Sequence, residues 1–343
     1  MQNRITRRAK LLDEKGNLSC PGYATEYLLD YDRADIKASK FRIKEWDYYY
    51  VGNDKYAICL TAADMGYVGA ISATFMDFEA PSQITKSSIK LFPMGCYHMP
   101  KSTLSGDVIA TNGGVEFVCI LDSGVRHIFG KYPKFGNNGE ELSFDFYLSD
   151  TPEECMFIAT PFKKDKHFYY NAKINCMTAK GHFKVGNKTY SLDDALGTLD
   201  WGRGVWTFDN TWYWGSLQTV LPDGKKFGFN LGYGFGDTSA ATENMLFYDG
   251  KAHKLEDVVF NIPGDGTDNV EYTKPWTVTS SDNRVNLDFE PLIDRYEPFD
   301  LKVFCMIPHQ VFGYFSGTCV LDDGTEIKLD KVLGFAEKVH NKW

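Results

Sequence analysis

The sequence predicts an all-β protein made of two closed barrels or sandwiches in tandem, preceded by an N-terminal arm. Three observations lead there. Aromatic residues make up 15% of the 343 residues, with 25 Phe, 20 Tyr and 7 Trp, a composition that favours strands over helices. Short alternating segments are separated by turn chemistry. Asp223-Gly224, Asp249-Gly250 and Asp323-Gly324 suit hairpin turns in the second half, as do Gly52-Asn53-Asp54 and Gly136-Asn137-Asn138-Gly139 in the first. A meander of about twenty strands is too wide for one open twisted sheet, so it splits or closes.

In chain order, residues 1–45 are polar and irregular, with a turn at Pro21-Gly22-Tyr23, and read as an arm packed on the body. Residues 46–197 form the first β domain and 198–343 the second, joined by the polar stretch 191–198. Residues 191–196 suit one helical turn; nothing longer than a few turns is expected elsewhere.

The formal net charge is −9, and no Lys/Arg cluster stands against it. Nucleic acid and membrane surfaces are therefore poor partners, and a small molecule is the expected one. The first sixteen residues carry charge but no apolar signal core, and no run reaches the roughly 18 apolar residues of a membrane helix. A cytoplasmic protein is expected. The eight cysteines form no Cys-x-x-Cys pair, and most sit in apolar runs such as Ala57-Ile58-Cys59-Leu60, so reduced, buried thiols are expected.

No metal or other cofactor is expected. The seven histidines are scattered without ligand spacing, and the acidic loop 264–269 does not match a calcium loop. Gly232-Tyr233-Gly234-Phe235-Gly236 lacks the Lys-Ser/Thr and the helix of a phosphate loop. No nucleophile-elbow motif is present.

Four segments carry the candidate chemistry. In 167–177, His167, Tyr169, Asn171, Lys173 and Asn175 share one strand face, and Phe168, Tyr170, Ala172, Ile174 and Cys176 the other. The polar face lacks the Lys/Glu/Thr mixture of solvated strands, so it is expected to turn inward towards a cavity. In 210–218, Trp212 and Trp214 share a face with Asn210, Ser216 and Gln218, a mixture of large rings and hydrogen-bonding groups that suits a ligand pocket. Asn230 follows on a strand whose same face carries Gly228, Gly232 and Gly234, which leave room for a bound molecule.

The densest cluster is Leu199-Asp200-Trp201-Gly202-Arg203-Gly204-Val205-Trp206. One reading is an Asp200–Arg203 ion pair closing a glycine-rich turn. The other is a carboxyl held among indoles, where desolvation keeps it protonated as a general acid. Asp64, Asp209 and Glu243 each flank an apparent strand. For each the ordinary reading is a solvated turn, although such residues also gather at barrel openings.

The chain resembles the bacterial family called domain of unknown function 2804. The resemblance runs through 43–49, 63–67, 171–177, 199–204, 242–244 and 334–337. Its most specific string is Asp200-Trp201-Gly202-Arg203-Gly204. That family is in turn similar to tandem lipocalin-like proteins that include carotenoid 1,2-hydratases. The resemblance implies two lipocalin- or calycin-like units, and proton-initiated addition or elimination at an alkene. It implies no assignment of individual catalytic residues, because the hydratase motif is not matched residue for residue.

Residues and resemblance together suggest an acid/base enzyme of hydratase, lyase or isomerase type acting on a small, partly apolar molecule. Asp200 or Glu243 is the expected acid, with Lys173, Asn171 and Tyr169 at the substrate's polar end. Trp201, Trp212 and Trp214 would line a cation site, with Arg203 and Asn230 in the same pocket. Two alternatives stand beside this reading: a non-catalytic lipocalin-like binding protein, and a glycoside-cleaving enzyme with two carboxyls.

Overall fold

The computed structural model describes residues 2–300 and 305–343. The N-terminal segment holds three short strands, β1 (Ala9–Lys10), β2 (Gly22–Ala24) and β3 (Leu29–Asp30). The body begins with four long strands, β4 (Ile43–Gly52), β5 (Tyr56–Asp64), β6 (Val68–Asp77) and β7 (Ser82–Leu91). After a long connection come β8 (Val108–Asn112), β9 (Val115–Asp122), β10 (Val125–Tyr132) and β11 (Leu142–Ser149). The first sheet is completed by β12 (Met156–Pro161), β13 (Phe168–Val185), β14 (Lys188–Ser191) and β15 (Leu196–Val205).

The second half opens with β16 (Asp209–Val220), β17 (Lys226–Tyr233), β18 (Met245–Tyr248), β19 (Lys251–Lys254) and β20 (Val258–Asn261). It closes with β21 (Trp276–Ser280), β22 (Val285–Tyr296), β23 (Phe299–Asp300), β24 (Cys305–Val320) and β25 (Glu326–Lys342). Among the described residues, helix is confined to two 3-10 turns, Arg33–Asp35 and Lys40–Arg42. All five expected hairpin turns fall between paired strands.

The chain divides into two units, 3–206 and 207–343, with Gln2 grouped with the second. In the first, the strand order is β7-β6-β5-β4-β15-β13-β11-β10-β9-β8. Its edges are bridged by side chains: the Ser88 hydroxyl donates to the Asn112 carbonyl (3.1 Å), and the Asn112 amide to the Ile89 carbonyl (2.9 Å). In the second, the order is β19-β18-β17-β16-β25-β24-β22-β21-β20. There the Phe260 N–H donates to the Tyr233 hydroxyl (3.2 Å), tying β20 to β17. Both sheets are barrel-like, as expected of tandem lipocalin-like units.

The boundary lies between Trp206 and Thr207 rather than between 197 and 198. The reason is the ladder of β15: it pairs with β13 on one side and β4 on the other along nearly its whole length. The arm is also more integrated than expected, since β2 pairs with β12.

Each unit has its own apolar core. Tyr49, Phe117, Phe146, Tyr170, Ile174 and Trp201 belong to the first; Phe229, Leu231, Trp276, Phe289, Val311 and Phe315 belong to the second. All eight cysteines are free thiols. Six are buried as expected, while Cys20 is half-buried and Cys96 is exposed.

Candidate functional site

The string 199–204 is not a turn. It is the middle of β15, a strand buried throughout, and alternation sends Asp200, Gly202 and Gly204 to one face and Leu199, Trp201 and Arg203 to the other. Asp200 and Arg203 therefore point to opposite sides, and the expected ion pair between them does not form.

Asp200 finds its partners on β13. The ladder sets Lys173 directly beside Asp200 and Asn171 beside Gly202. The Lys173 ammonium lies 3.0 Å from Asp200 Oδ2, and Asn171 Nδ2 donates to Asp200 Oδ1 at 2.5 Å. On the other side β4 sets Tyr48 beside Asp200, Trp46 beside Gly202 and Lys44 beside Gly204. Three strands thus present one face: Lys44, Trp46 and Tyr48 on β4, Asp200 and the two glycines on β15, and Tyr169, Asn171 and Lys173 on β13.

Gly202 makes room for this layer. A Cβ there would lie 1.9 Å from the Trp46 ring, so only glycine lets the indole cross the strand. Trp46 in turn stacks on Tyr169 (centroids 6.1 Å, 13°) and meets Trp206 edge-on (5.1 Å, 79°). The Lys44 ammonium donates to the Met65 carbonyl (2.8 Å) and lies 4.6 Å from the Tyr67 ring centre. Burial lowers its pKa to about 7.

The polar face of 167–177 is buried as expected: Asn171 is 0% and Lys173 3% exposed. Its direction differs from the expectation, however. The core of this unit takes Phe168, Tyr170, Ala172 and Ile174, so the polar residues lie on the sheet's other side. The alternation also stops before Met177. A register shift follows Ile174, Cys176 has φ 65°, and Met177 enters the core, as a bulge that adds one residue requires. His167 precedes the strand, with its Nδ1 2.9 Å from the Asp165 carbonyl.

Arg203 and Trp201 belong to the core face. The Arg203 guanidinium donates to Asp47 Oδ1 (3.0 Å) and to the carbonyls of Trp46 and Gly202 (both 2.8 Å). Its Nε and Nη2 both reach the Pro100 carbonyl (3.2 and 2.9 Å). Burial pushes the Asp47 carboxyl pKa up, against the pull of Arg203. The guanidinium also lies 4.1 Å from the Trp201 ring centre, and Trp201 meets Tyr31 and Tyr170 edge-on. With all its nitrogens engaged by the protein, Arg203 serves as a structural pin.

Two more buried groups hold the same connection between β7 and β8. Arg126 donates to the Thr103 carbonyl (2.7 Å), and Asp64 accepts the N–H groups of Gly66 (2.9 Å) and Gly95 (2.5 Å). Asp64 is therefore no solvated turn residue. Arg203, Arg126 and Asp64 all grip main-chain atoms of 95–103, which fixes that segment's path whatever its side chains.

The remaining candidates lie in the second unit. Trp214 Nε1 donates to Asn230 Oδ1 (2.6 Å), and Asn230 Nδ2 to the Glu243 carbonyl (2.7 Å). Trp212 Nε1 donates to Glu337 Oε1 (2.9 Å), whose other oxygen accepts from Gln310 (2.9 Å). Phe229, Leu231 and Leu217 point into that unit's core, so Trp212, Trp214 and Asn230 form a second face here too. Glu243 is buried rather than solvated, and Asp209 is exposed, beside Lys342 at 3.3 Å. Among the described residues, no group of three or more His, Cys, Asp and Glu side chains has the arrangement of a metal site.

A family model described as "Domain of unknown function (DUF2804)" matches residues 2–343. The chain belongs to the DUF2804 family. No curated protein matches it. Among solved structures, it is similar to a Nitrosomonas europaea protein provisionally named AttH, at 11% identity and a TM-score of 0.51. That match covers 90% of this chain and 96% of the other. The kievitone hydratase of Nectria haematococca aligns at 11% identity and a TM-score of 0.49, covering 98% of both chains. For this DUF2804 protein the first likeness speaks to the fold alone.

Sequence reasoning missed Lys44, Trp46 and Tyr48. The signal was available in the alternation of 43–49, where Lys44, Trp46 and Tyr48 share a face by the same period that picked out Tyr169, Asn171 and Lys173. Asp47, the actual partner of Arg203, sits on the opposite set of that strand.

Proposed function

We propose that this DUF2804 protein is an acid/base enzyme adding water to, or eliminating it from, a small, partly apolar molecule. The observation that carries this reading is the buried Lys173–Asp200 pair, 3.0 Å apart, beside the stacked rings of Trp46 and Tyr169. A proton donor and a proton acceptor side by side are the two groups that hydration of an alkene needs.

The roles differ from those the sequence suggested. Asp200 already accepts from an ammonium and an amide, so it suits the base, and Lys173 suits the acid. The Lys173 ammonium gives its proton to one alkene carbon, leaving a cation at the other. Water attacks that carbon, and its proton passes to the Asp200 carboxylate. Transfer of that proton from Asp200 to the neutral Lys173 amine across their hydrogen bond restores the pair. Aromatic faces on the same side of the sheet stabilise a cation, and Asn171 holds the carboxylate in place.

A second reading is a non-catalytic binding protein, favoured by the fact that Lys173 and Asp200 satisfy one another without a substrate. Metabolite profiling with the purified protein separates the two. An enzyme depletes a compound and produces one differing by the mass of a water, and Lys173→Met abolishes the change. If the wild-type protein retains a compound unchanged and alters none, the enzymatic reading fails.

A further inference from the structure

The acidic loop 264–269, unassigned by the reading above, lies in a strap between β20 and β21 that reaches into one end of the second barrel. Most of the strap faces solvent, but Ile262 is buried in the core, Val270 packs against it, and Asp265 and Tyr272 also turn inward. Asp265 accepts a hydrogen bond from the Tyr213 hydroxyl (2.7 Å) and pairs with the Lys338 ammonium. Tyr272 stacks on His309 almost face to face (centroids 3.6 Å, 9°).

The receiving groups stand on adjacent strands. The ladders align Tyr213 with Lys338 and Lys338 with His309, and Tyr296 is aligned with His309 and stacks on it at 4.3 Å. His309 Nδ1 is held by Asp294 at 2.8 Å, and Asp294 Oδ1 is buried with no hydrogen-bond partner among the described residues. Below them lie Val311, Phe260 and Trp276 of the core.

A cationic amine and a phenol that bind a carboxylate, one strand spacing from an imidazole that binds a flat ring, form a composite recognition surface. The strap supplies both halves of what that surface recognises. We infer that this end of the second barrel is a binding site for a planar aromatic carboxylate, occupied in this structure by the strap's own Asp265 and Tyr272. The ligand's carboxylate takes the place of Asp265 on Lys338 and Tyr213, and its ring takes the place of Tyr272 on His309. Adjacent strands lie about 5 Å apart, so a carboxylate carried about that far from the ring, as in trans-cinnamate, fits both.

Competition from the strap lowers apparent affinity by the fraction of time the site is closed. Calorimetric titration with trans-cinnamate therefore expects Asp265→Ala to bind at least about tenfold tighter than wild type. Adding Lys338→Met to that variant should abolish binding, and cinnamyl alcohol, lacking the charge, should not bind. In wild type, saturating cinnamate should shift the ring resonances of both His309 and Tyr272, and this measurement stands even if Asp265→Ala does not fold. Equal affinity of wild type and a folded Asp265→Ala, binding that survives Lys338→Met, or unmoved His309 and Tyr272 resonances would each overturn the assignment. None of these outcomes bears on the Lys173–Asp200 pair.

Discussion

Asp200 and Arg203 stand three residues apart in the string 200–204, yet they leave β15 on opposite faces and have separate partners, Lys173 and Asp47. One motif thus serves two purposes. Its even positions build the candidate site, and its odd positions pin the core and the connection that crosses it.

The Lys173–Asp200 pair yields a prediction that separates chemistry from structure. Asp200→Asn leaves a buried ammonium without its counter-charge and should cost about 3–5 kcal/mol in urea unfolding. Combining it with Lys173→Met removes both charges and should recover most of that loss. Turnover should be absent from both variants. A double variant that is stable and fully active would remove the pair from the mechanism.

Arg203→Lys should loosen the connection between β7 and β8. Lysine cannot reach the Asp47 carboxylate and three carbonyls with one planar fork, and bonds to a charged donor are worth about 1.5–3 kcal/mol each. Trypsin should then cut after Lys101 faster than in wild type, under conditions where both proteins remain folded. An unchanged cleavage rate would show that Arg203 does not hold this segment.

Gly202→Ala tests the close crossing of Trp46. With the new methyl carbon 1.9 Å from the ring, the indole must leave its place on Tyr169, and overpacking of this kind costs about 1–3 kcal/mol. Thermal unfolding should show the loss, and Trp46→Leu in the same chain should return part of it. If Gly202→Ala melts like wild type, the indole does not need the glycine.

How much of this was legible beforehand follows from what strands encode. The all-β fold and the five hairpins could be read because turn residues and alternation are local signals. The face shared by Tyr169, Asn171 and Lys173 followed from period two. Which way that face looked did not, because both faces of β13 are buried, and alternation then gives two sets without saying which one meets the core. The Asp200–Arg203 pair failed for a related reason: Gly202 and Gly204 suggested a turn, whereas they make room for Trp46 and for close backbone approach within a strand. Asp47 and Lys173 come from strands far away in sequence, and only the register joins them to Arg203 and Asp200.

Lys44 gives a prediction in pH. Burial disfavours its ammonium and lowers its pKa from 10.5 to about 7 in the folded chain, while the unfolded chain keeps an ordinary lysine. Between those values the unfolded state binds the extra proton, so this residue's contribution to stability rises with pH. It is fully present above 10.5 and lost as pH falls towards 7. The limiting slope for one proton is about 1.4 kcal/mol per pH unit. Buried thiols oppose it: burial raises Cys155 and Cys319 to about 12, so their unfolded forms lose protons first and stability falls above the ordinary thiol range. A comparison with Lys44→Met cancels that background, because the cysteines are common to both proteins. Urea unfolding of the pair from pH 7 to 9.5 should give a stability difference, wild type minus variant, that grows more favourable to wild type as pH rises. A difference independent of pH would mean that Lys44 keeps an ordinary ammonium in the folded protein, and that its place beneath the Tyr67 ring is no desolvating site.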